Sequence, residues 1–322
     1  MQTDLVPAQG LLFAPMEGVT DSVYRQVVSE ICPGWDVLAC DFLRVPSAGH
    51  YPKKHLIKHI GQQFLENPDW NKRTMYQILT SERAFTVDLV KQVADIGVHW
   101  VDLNLGCPSK TVCKSGGGSS LLRDLKVVER IVTDIRKSFP GRFTCKVRAG
   151  FSNGDQITDI IKLLNDCGAE MITVHGRTRE MMYKEPARWE WIEEAVKVSQ
   201  VPIVGNGDVW NAQDAKRMLR ETGCYAVMVA RGALKTPWFP LHYYQNVTDA
   251  PETRIAMARQ FLKRYVELLL ESGVNDPGIV RQIKSVSRYI FDELPGGDVL
   301  RRKVLLSQNS ANIFNEINAV SY

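Results

Sequence analysis

The chain has 322 residues, 44% hydrophobic, 24% charged and 9% aromatic, the balance of a globular protein with a large core, which excludes a fibre, a peptide or a disordered tail. Forty Lys and Arg stand against 36 Asp and Glu, and a net charge of +4 over this length does not by itself announce a nucleic-acid partner. Seven cysteines, without a C-x-x-C pair or a zinc-spaced Cys/His cluster, predict a reduced, cytoplasmic chain with no metal, and no secretory signal or membrane span of roughly 20 apolar residues is read.

Eight apolar runs suited to buried parallel strands follow one another: Leu11-Met16, Val37-Leu43, Met75-Leu79, Trp100-Asn104, Phe143-Arg148, Met171-His175, Pro202-Gly205 and Tyr225-Ala230. Between most of them lie segments of helical period with acceptable caps: Asp21-Glu30, Ser81-Gly97, Asp124-Ser138, Asp155-Gly168, Trp189-Ser199 and Asn211-Gly223. Eight strand-then-helix units over about 230 residues predict a (β/α)8 TIM barrel rather than an open doubly wound sheet. The first run is not followed by the G-x-G-x-x-G turn that such a sheet usually wants. The segment Val45-Arg73 carries Pro46, Pro52 and Pro68 and reads as a long functional loop with a poor helix in it. Its basic run Lys53-His59 is either a contact surface or a solvated face.

After Ala230 the composition shifts. A stretch rich in proline and aromatic residues, Thr236-Pro251, leads into Glu252-Tyr322, which has helical period and no convincing strand. The expectation is a barrel domain over 1–245 and a small all-helical domain over 246–322. Arg281, Lys284 and Arg288 fall at helical spacing and are followed by Arg301-Arg302-Lys303, which together make a basic stripe.

In a barrel of this kind the chemistry sits where the strands end. The last two strands run into Asn206-Gly207-Asp208 and Ala230-Arg231-Gly232-Ala233, either a phosphate cradle or ordinary glycine turns. Lys146 interrupts a buried strand, as a cation beneath a delocalised ring such as a flavin or as half of an internal salt bridge. Gln77 can meet the edge of such a ring or satisfy a neighbouring backbone group. His175, opening His175-Gly176-Arg177-Thr178, is a contact to phosphate or substrate, or a structural histidine. The strongest feature is Asn104-Leu105-Gly106-Cys107-Pro108 with Gly116-Gly117-Gly118 behind it. It sets a cysteine on a loop as a general acid, a nucleophile or an inert packed thiol.

Taken in order, Ala14-Pro15-Met16-Glu17-Gly18-Val19-Thr20-Asp21, the Asn104-x-Gly-Cys-Pro loop, Lys146-Val147-Arg148, His175-Gly176-Arg177-Thr178, Asn206-Gly207-Asp208 and Gly232-Ala233 resemble the tRNA-dihydrouridine synthases. The likeness spans essentially the whole barrel and is nearest the bacterial C-type enzymes, whose target is uridine 16 of the D-loop. It implies an FMN barrel that reduces tRNA uridine with NADPH. Pro15, Met16 and Glu17 would lie along the flavin, with His175 also beside it. Gln77 and Lys146 would meet its polar edge, and Asn206, Gly207, Asp208, Ala230 and Arg231 would hold its phosphate. It further implies Cys107 as proton donor, Asn104 facing the target base, and Arg44, Tyr183, Gln282, Lys284, Tyr289 and Arg302 toward tRNA. Gln282 stands where the subgroup would carry arginine, and Arg302 or Lys303 fills the last basic position. The competing readings are a flavin reductase of a free pyrimidine or enone, and a catalytically silent tRNA-binding barrel. A monomer is expected.

Overall fold

The computed structural model describes residues 6–319 apart from 83, 293 and 295. Among the described residues there are nine strands: β1 (Leu11–Phe13), β2 (Val37–Ala39), β3 (Leu43–Arg44), β4 (Thr74–Leu79), β5 (Trp100–Leu105), β6 (Arg142–Gly150), β7 (Ile172–Thr178), β8 (Ile203–Asn206) and β9 (Ala226–Val229). All of their pairings are parallel. β1 bonds to both β2 and β9, and β2 reaches across to β4, so eight strands close on themselves while β3 only extends β4 at its end. Closure buries both faces of the barrel strands, which is why β1 and β9 are apolar throughout, while β5, β6 and β7 alternate apolar with polar residues.

The barrel interior is filled by Leu12, Val37, Met75, Trp100, Met171, Val204 and Met228 among others. A second, larger cluster lies between the sheet and its surrounding helices. The helix Leu125–Ser138 shows how that layer is built. Asp124 caps it by accepting from the Lys126 N–H at 3.0 Å, and Val128, Ile131, Val132 and Ile135 fall at helical spacing on the buried side. Each fully buried side chain of this kind contributes about 1.5–3 kcal/mol relative to exposure.

Two local expectations are corrected. The second strand is split, because the chain leaves the ladder at Cys40 and returns at Leu43 to pair with Ile78. The segment Val45-Arg73 holds three helices, Lys53–Ile60, Gln62–Glu66 and Pro68–Arg73. Two of its three prolines start helices rather than break them: Pro52 is the cap of the first and Pro68 opens the third, where Asn67 accepts from the Asp69 and Trp70 amides. His59, read as part of a basic surface, points inward against Tyr76.

Beyond the helix Phe239–Gln245 come four more, Pro251–Glu271, Asp276–Ile290, Gly297–Leu306 and Ser310–Asn318. They share the large core with the barrel. Tyr24 of the first barrel helix, Ser22–Ile31, packs on Phe261 and Tyr265, and Arg264 pairs with Glu30 at 2.6 Å. Arg254 donates to Thr236 Oγ1 and to the carbonyls of Lys235 and Asp292, and Lys235 pairs with Asp292 at 2.6 Å. The helical region is thereby tied directly to the loop that follows β9. Among the described residues no helix is long and apolar enough to cross a membrane.

Candidate active site

A cavity of about 580 Å³ opens at the C-terminal ends of the strands. Strand register decides what meets there. Gln77 stands opposite Asp102 and Asp102 opposite Thr144; Asn104 is opposite Lys146, Arg148 opposite His175, and His175 opposite Asn206. Residues two apart on a strand share a face, so Asp102 with Asn104 and Lys146 with Arg148 form stacked polar pairs.

One side of the cavity is organised around the loop after β5. Asn104 Oδ1 accepts from the backbone amides of Gly106 (3.0 Å) and Cys107 (2.9 Å), a side-chain turn that fixes the loop at the strand end. The Cys107 carbonyl accepts from the Ser119 hydroxyl at 2.7 Å and its amide at 3.2 Å. Gly118 makes that approach possible: its φ is +57° and a Cβ there would lie 3.0 Å from the Cys107 carbonyl oxygen. Cys107 itself is half-buried. Burial pushes its thiol up from the ordinary value, against a weaker opposing bond from the Ser109 amide, so the sulfur keeps its proton at neutral pH. A thiol in that state can donate a proton and is not poised as a nucleophile.

The floor carries the cations. Lys146 Nζ donates to Asn206 Oδ1 at 3.0 Å, while Asn206 Nδ2 donates to the Met228 carbonyl at 2.8 Å. Burial, with Arg148 nearby, pushes Lys146 down to about 8. Arg148 donates to the carbonyl of Gly106 and to those of Thr178 and Met182, the last a residue in left-handed backbone at φ +54°. Burial and four surrounding cations, Arg148, Lys146, Arg177 and Arg231, hold His175 well below its usual value and therefore neutral. Its Nε2 lies 3.2 Å from Arg177 Nη1, which can only donate, so the ring proton sits on Nδ1.

The far side is a pair of arginines ordered by one carboxylate. Asp208 accepts from Arg177 at 2.6 Å, from the Ala187 amide at 2.7 Å and from Arg231 at 3.2 Å, which holds it below the usual carboxylate range. Gly207 has φ +117°, and a Cβ there would sit 2.8 Å from the His175 ring. After Ala230 the short helix Arg231–Lys235 begins, and the first amides of a helix have no partner within it.

A family model described as Dihydrouridine synthase (Dus) matches residues 12–320. The chain belongs to the dihydrouridine synthase family. It is 35% identical over 248 residues to the tRNA-dihydrouridine(16) synthase of Ralstonia nicotianae, covering 75% of this chain and 74% of that one. Against the tRNA-dihydrouridine(16) synthase of Shewanella oneidensis it is 30% identical over 312 residues, 94% of this chain and 95% of the other. In fold it is similar to histamine dehydrogenase from Rhizobium sp. 4-9, with TM-score 0.54 and 11% identity over 79% of this chain; it spans about half the length of that protein (48%).

Within this dihydrouridine synthase, Pro15, Met16, Glu17, Asn104, Cys107, Lys146, His175, Asn206, Gly207, Asp208, Ala230 and Arg231 all line one cavity, as do Tyr183 and Tyr289. Tyr289 comes from the helix Asp276–Ile290, so the C-terminal helices help build the wall. Gln77 is fully buried and is not among the lining residues: its Nε2 donates to Asp102 and its Oε1 accepts from Asn104, both at 2.7 Å. Arg44 lies outside the lining, 3.6 Å from Glu17. Gln282 accepts from the Tyr265 hydroxyl, Lys284 is half-buried on the same helix, and Arg302 is exposed on the next. Arg148 lines the cavity, and Asp102 and Arg177 support its lining from behind; sequence reasoning alone does not place these three in the site. The usable signal is a charge inside an apolar strand, two residues from a polar residue on the same face.

Proposed function

We propose that this dihydrouridine synthase uses FMN and NADPH to reduce the uracil C5–C6 bond of a D-loop uridine in tRNA, uridine 16, in the cytoplasm and as a monomer. The observation that carries the reading is one cavity holding a protonated thiol, Cys107, beside a buried cation, Lys146, in a chain of this family.

The donor set suits an anionic, ring-bearing cofactor. Lys146, Arg148, Arg177 and Arg231 surround His175, and the Asp208 carboxylate is already engaged by two of these arginines. Arg231 and the first turn of Arg231–Lys235 would hold the phosphate, with Asn206, Gly207 and Ala230 alongside. Asp208 would act through the arginines it orders. Pro15, Met16 and Glu17 would flank the ring, Lys146 and His175 would meet its polar edge, and Gln77 would act from behind Asn104. When bound, FMN supplies hydride to uracil C6.

The chain's own residues then have defined tasks. Hydride addition leaves negative charge conjugated into the C4 carbonyl, and the Cys107 thiol quenches it by giving its proton to C5. Lys146 lowers the cost of negative charge at the cavity floor. Asn104 spends one amide hydrogen on Gln77 and keeps the other for the base. A uridine in folded RNA reaches this depth only when extruded from its stack. Residues 1–245 would perform the chemistry. Residues 246–322 would hold tRNA through Gln282, Lys284, Tyr289 and Arg302, with Arg44 and Tyr183 at the barrel rim.

The decisive experiment is to purify the protein, record its visible spectrum and measure NADPH-dependent dihydrouridine in unmodified tRNA, mapped by position, against free uridine. A flavin spectrum with reduction at position 16 of tRNA alone supports the reading. A colourless protein removes the cofactor assignment. Equal turnover of free uridine moves the substrate to a small pyrimidine.

A further inference from the structure

A line of hydrogen bonds runs from the barrel interior to the catalytic loop. Trp100 Nε1 donates to Thr144 Oγ1 (3.0 Å), and Thr144 donates to Asp102 Oδ1 (2.7 Å). Gln77 Nε2 donates to Asp102 Oδ2 (2.7 Å), and Asn104 Nδ2 donates to Gln77 Oε1 (2.7 Å). Finally, Asn104 Oδ1 accepts from the Gly106 and Cys107 amides. The two ends admit no choice. An indole N–H and a backbone N–H can only donate, so each amide between them has one permitted orientation provided that Asp102 accepts on both oxygens.

We infer that Asp102 is a positioning residue for Cys107: its buried carboxylate sets the donor–acceptor order of Gln77 and Asn104, and Asn104 in turn holds the loop that carries the thiol. Asp102 is not part of the cavity lining and bonds to the loop only through the two amides, while its charge is also felt by Lys146, which is why amide protection is read beside the rate. The inference rests on the proposed role of Cys107.

Asp102→Asn tests the order itself, because it keeps the shape and replaces one acceptor with a donor. With the new amide group toward Gln77, two donors meet there or, after amide flips, at Asn104 or the loop amides; with it toward Thr144, the hydroxyl accepts twice and its own hydrogen is left buried without an acceptor. Thr144, Asp102 and Gln77 are at most 1% exposed, whereas Gly106 and Cys107 are half-open to the cavity, where water can relieve an unpaired group. The conflict is therefore expelled to the cysteine loop.

Gln77→Glu added to Asp102→Asn restores the order with the same total charge, since the carboxylate moved to position 77 would accept from both amide neighbours. The expected result for D102N is a kcat about a hundredfold lower, a KM for tRNA within about threefold, retained flavin, and faster hydrogen exchange at the Gly106 and Cys107 amides. The double variant should recover both the rate and the amide protection. Wild-type kcat and protection in D102N would overturn the inference, as would a folded double variant that recovers neither. If D102N does not fold, the double variant alone decides, because only a working order of donors predicts an active protein with protected amides. The exchange readout needs no turnover. If the wild-type protein does not reduce tRNA, the functional reading fails while the ordering of the loop by Asp102 is still judged.

Discussion

Each side of the cavity is arranged by a single aspartate, and the two behave oppositely. Asp208 faces two guanidinium groups and a backbone amide, and its carboxyl is held down; Asp102 is wholly enclosed, faces neutral donors from Gln77 and Thr144, and is pushed up to about 6 despite the charge on Lys146. The same side chain is stabilised as an anion by direct cations and strained as an anion by burial. The sign of each linkage follows. Asp208 adds stability above its ordinary value, lost as pH falls through its lowered one, whereas Asp102 costs stability as pH climbs from 3.8 to about 6. The arginine side is thus held by charge and the cysteine side by the order of its amides.

The largest effect should come from the cysteine side. Cys107→Ala is expected to keep the flavin spectrum and lower dihydrouridine formation by about 10²–10⁴-fold, the usual range for a missing general acid. Full activity in that variant would take Cys107 out of the chemistry.

On the arginine side, Asp208→Asn leaves Arg177, only 3% exposed, without its anion. A cost of about 3 kcal/mol in unfolding free energy is expected, together with weaker retention of FMN on dialysis. A variant as stable and as yellow as the wild type would mean that Asp208 does not order the two arginines.

The floor between the sides should report through pH. Lys146 is charged below about 8, so the rate should fall above that value as the cation is lost. Stability moves the other way: Lys146 binds its proton more weakly folded than unfolded, so this group favours folding increasingly as pH rises from about 8 toward 10.5. Lys146→Met should flatten both profiles. If either slope persists in that variant, it belongs to another group.

The smallest effect is expected outside the cavity. Lys284→Ala should weaken tRNA binding several-fold and reduce its salt dependence by about one counterion, leaving the turnover of bound tRNA unchanged. Identical salt titrations for the two proteins would place the RNA elsewhere.

The barrel was legible because closure makes strands apolar on both faces, and runs such as Leu11 to Phe13 or Ala226 to Val229 carry that mark. The cysteine loop was legible for a related reason, since glycines at Gly117 and Gly118 have little purpose unless backbone must come close. What stayed hidden depends on partners far apart in sequence. Pro52 and Pro68 look like breakers until their helices are seen to start there. Gln77 reads as a ring contact or as the partner of a neighbouring backbone group, because nothing in its own strand reveals that Asp102 and Asn104, more than twenty residues away, use both ends of its amide. The role of Tyr289 in the cavity wall likewise depends on how the last helices dock, which Arg254 and Arg264 decide through contacts of long range.

The amide line behind Asn104 has one more consequence. Glutamine and asparagine pass on an orientation but hold no proton they can release, so the amide line cannot itself reload a thiol that gives its hydrogen away. Under the proposed chemistry the Cys107 proton would return from the cavity side, through Lys146 or water at the mouth, and not through the barrel interior behind Asn104.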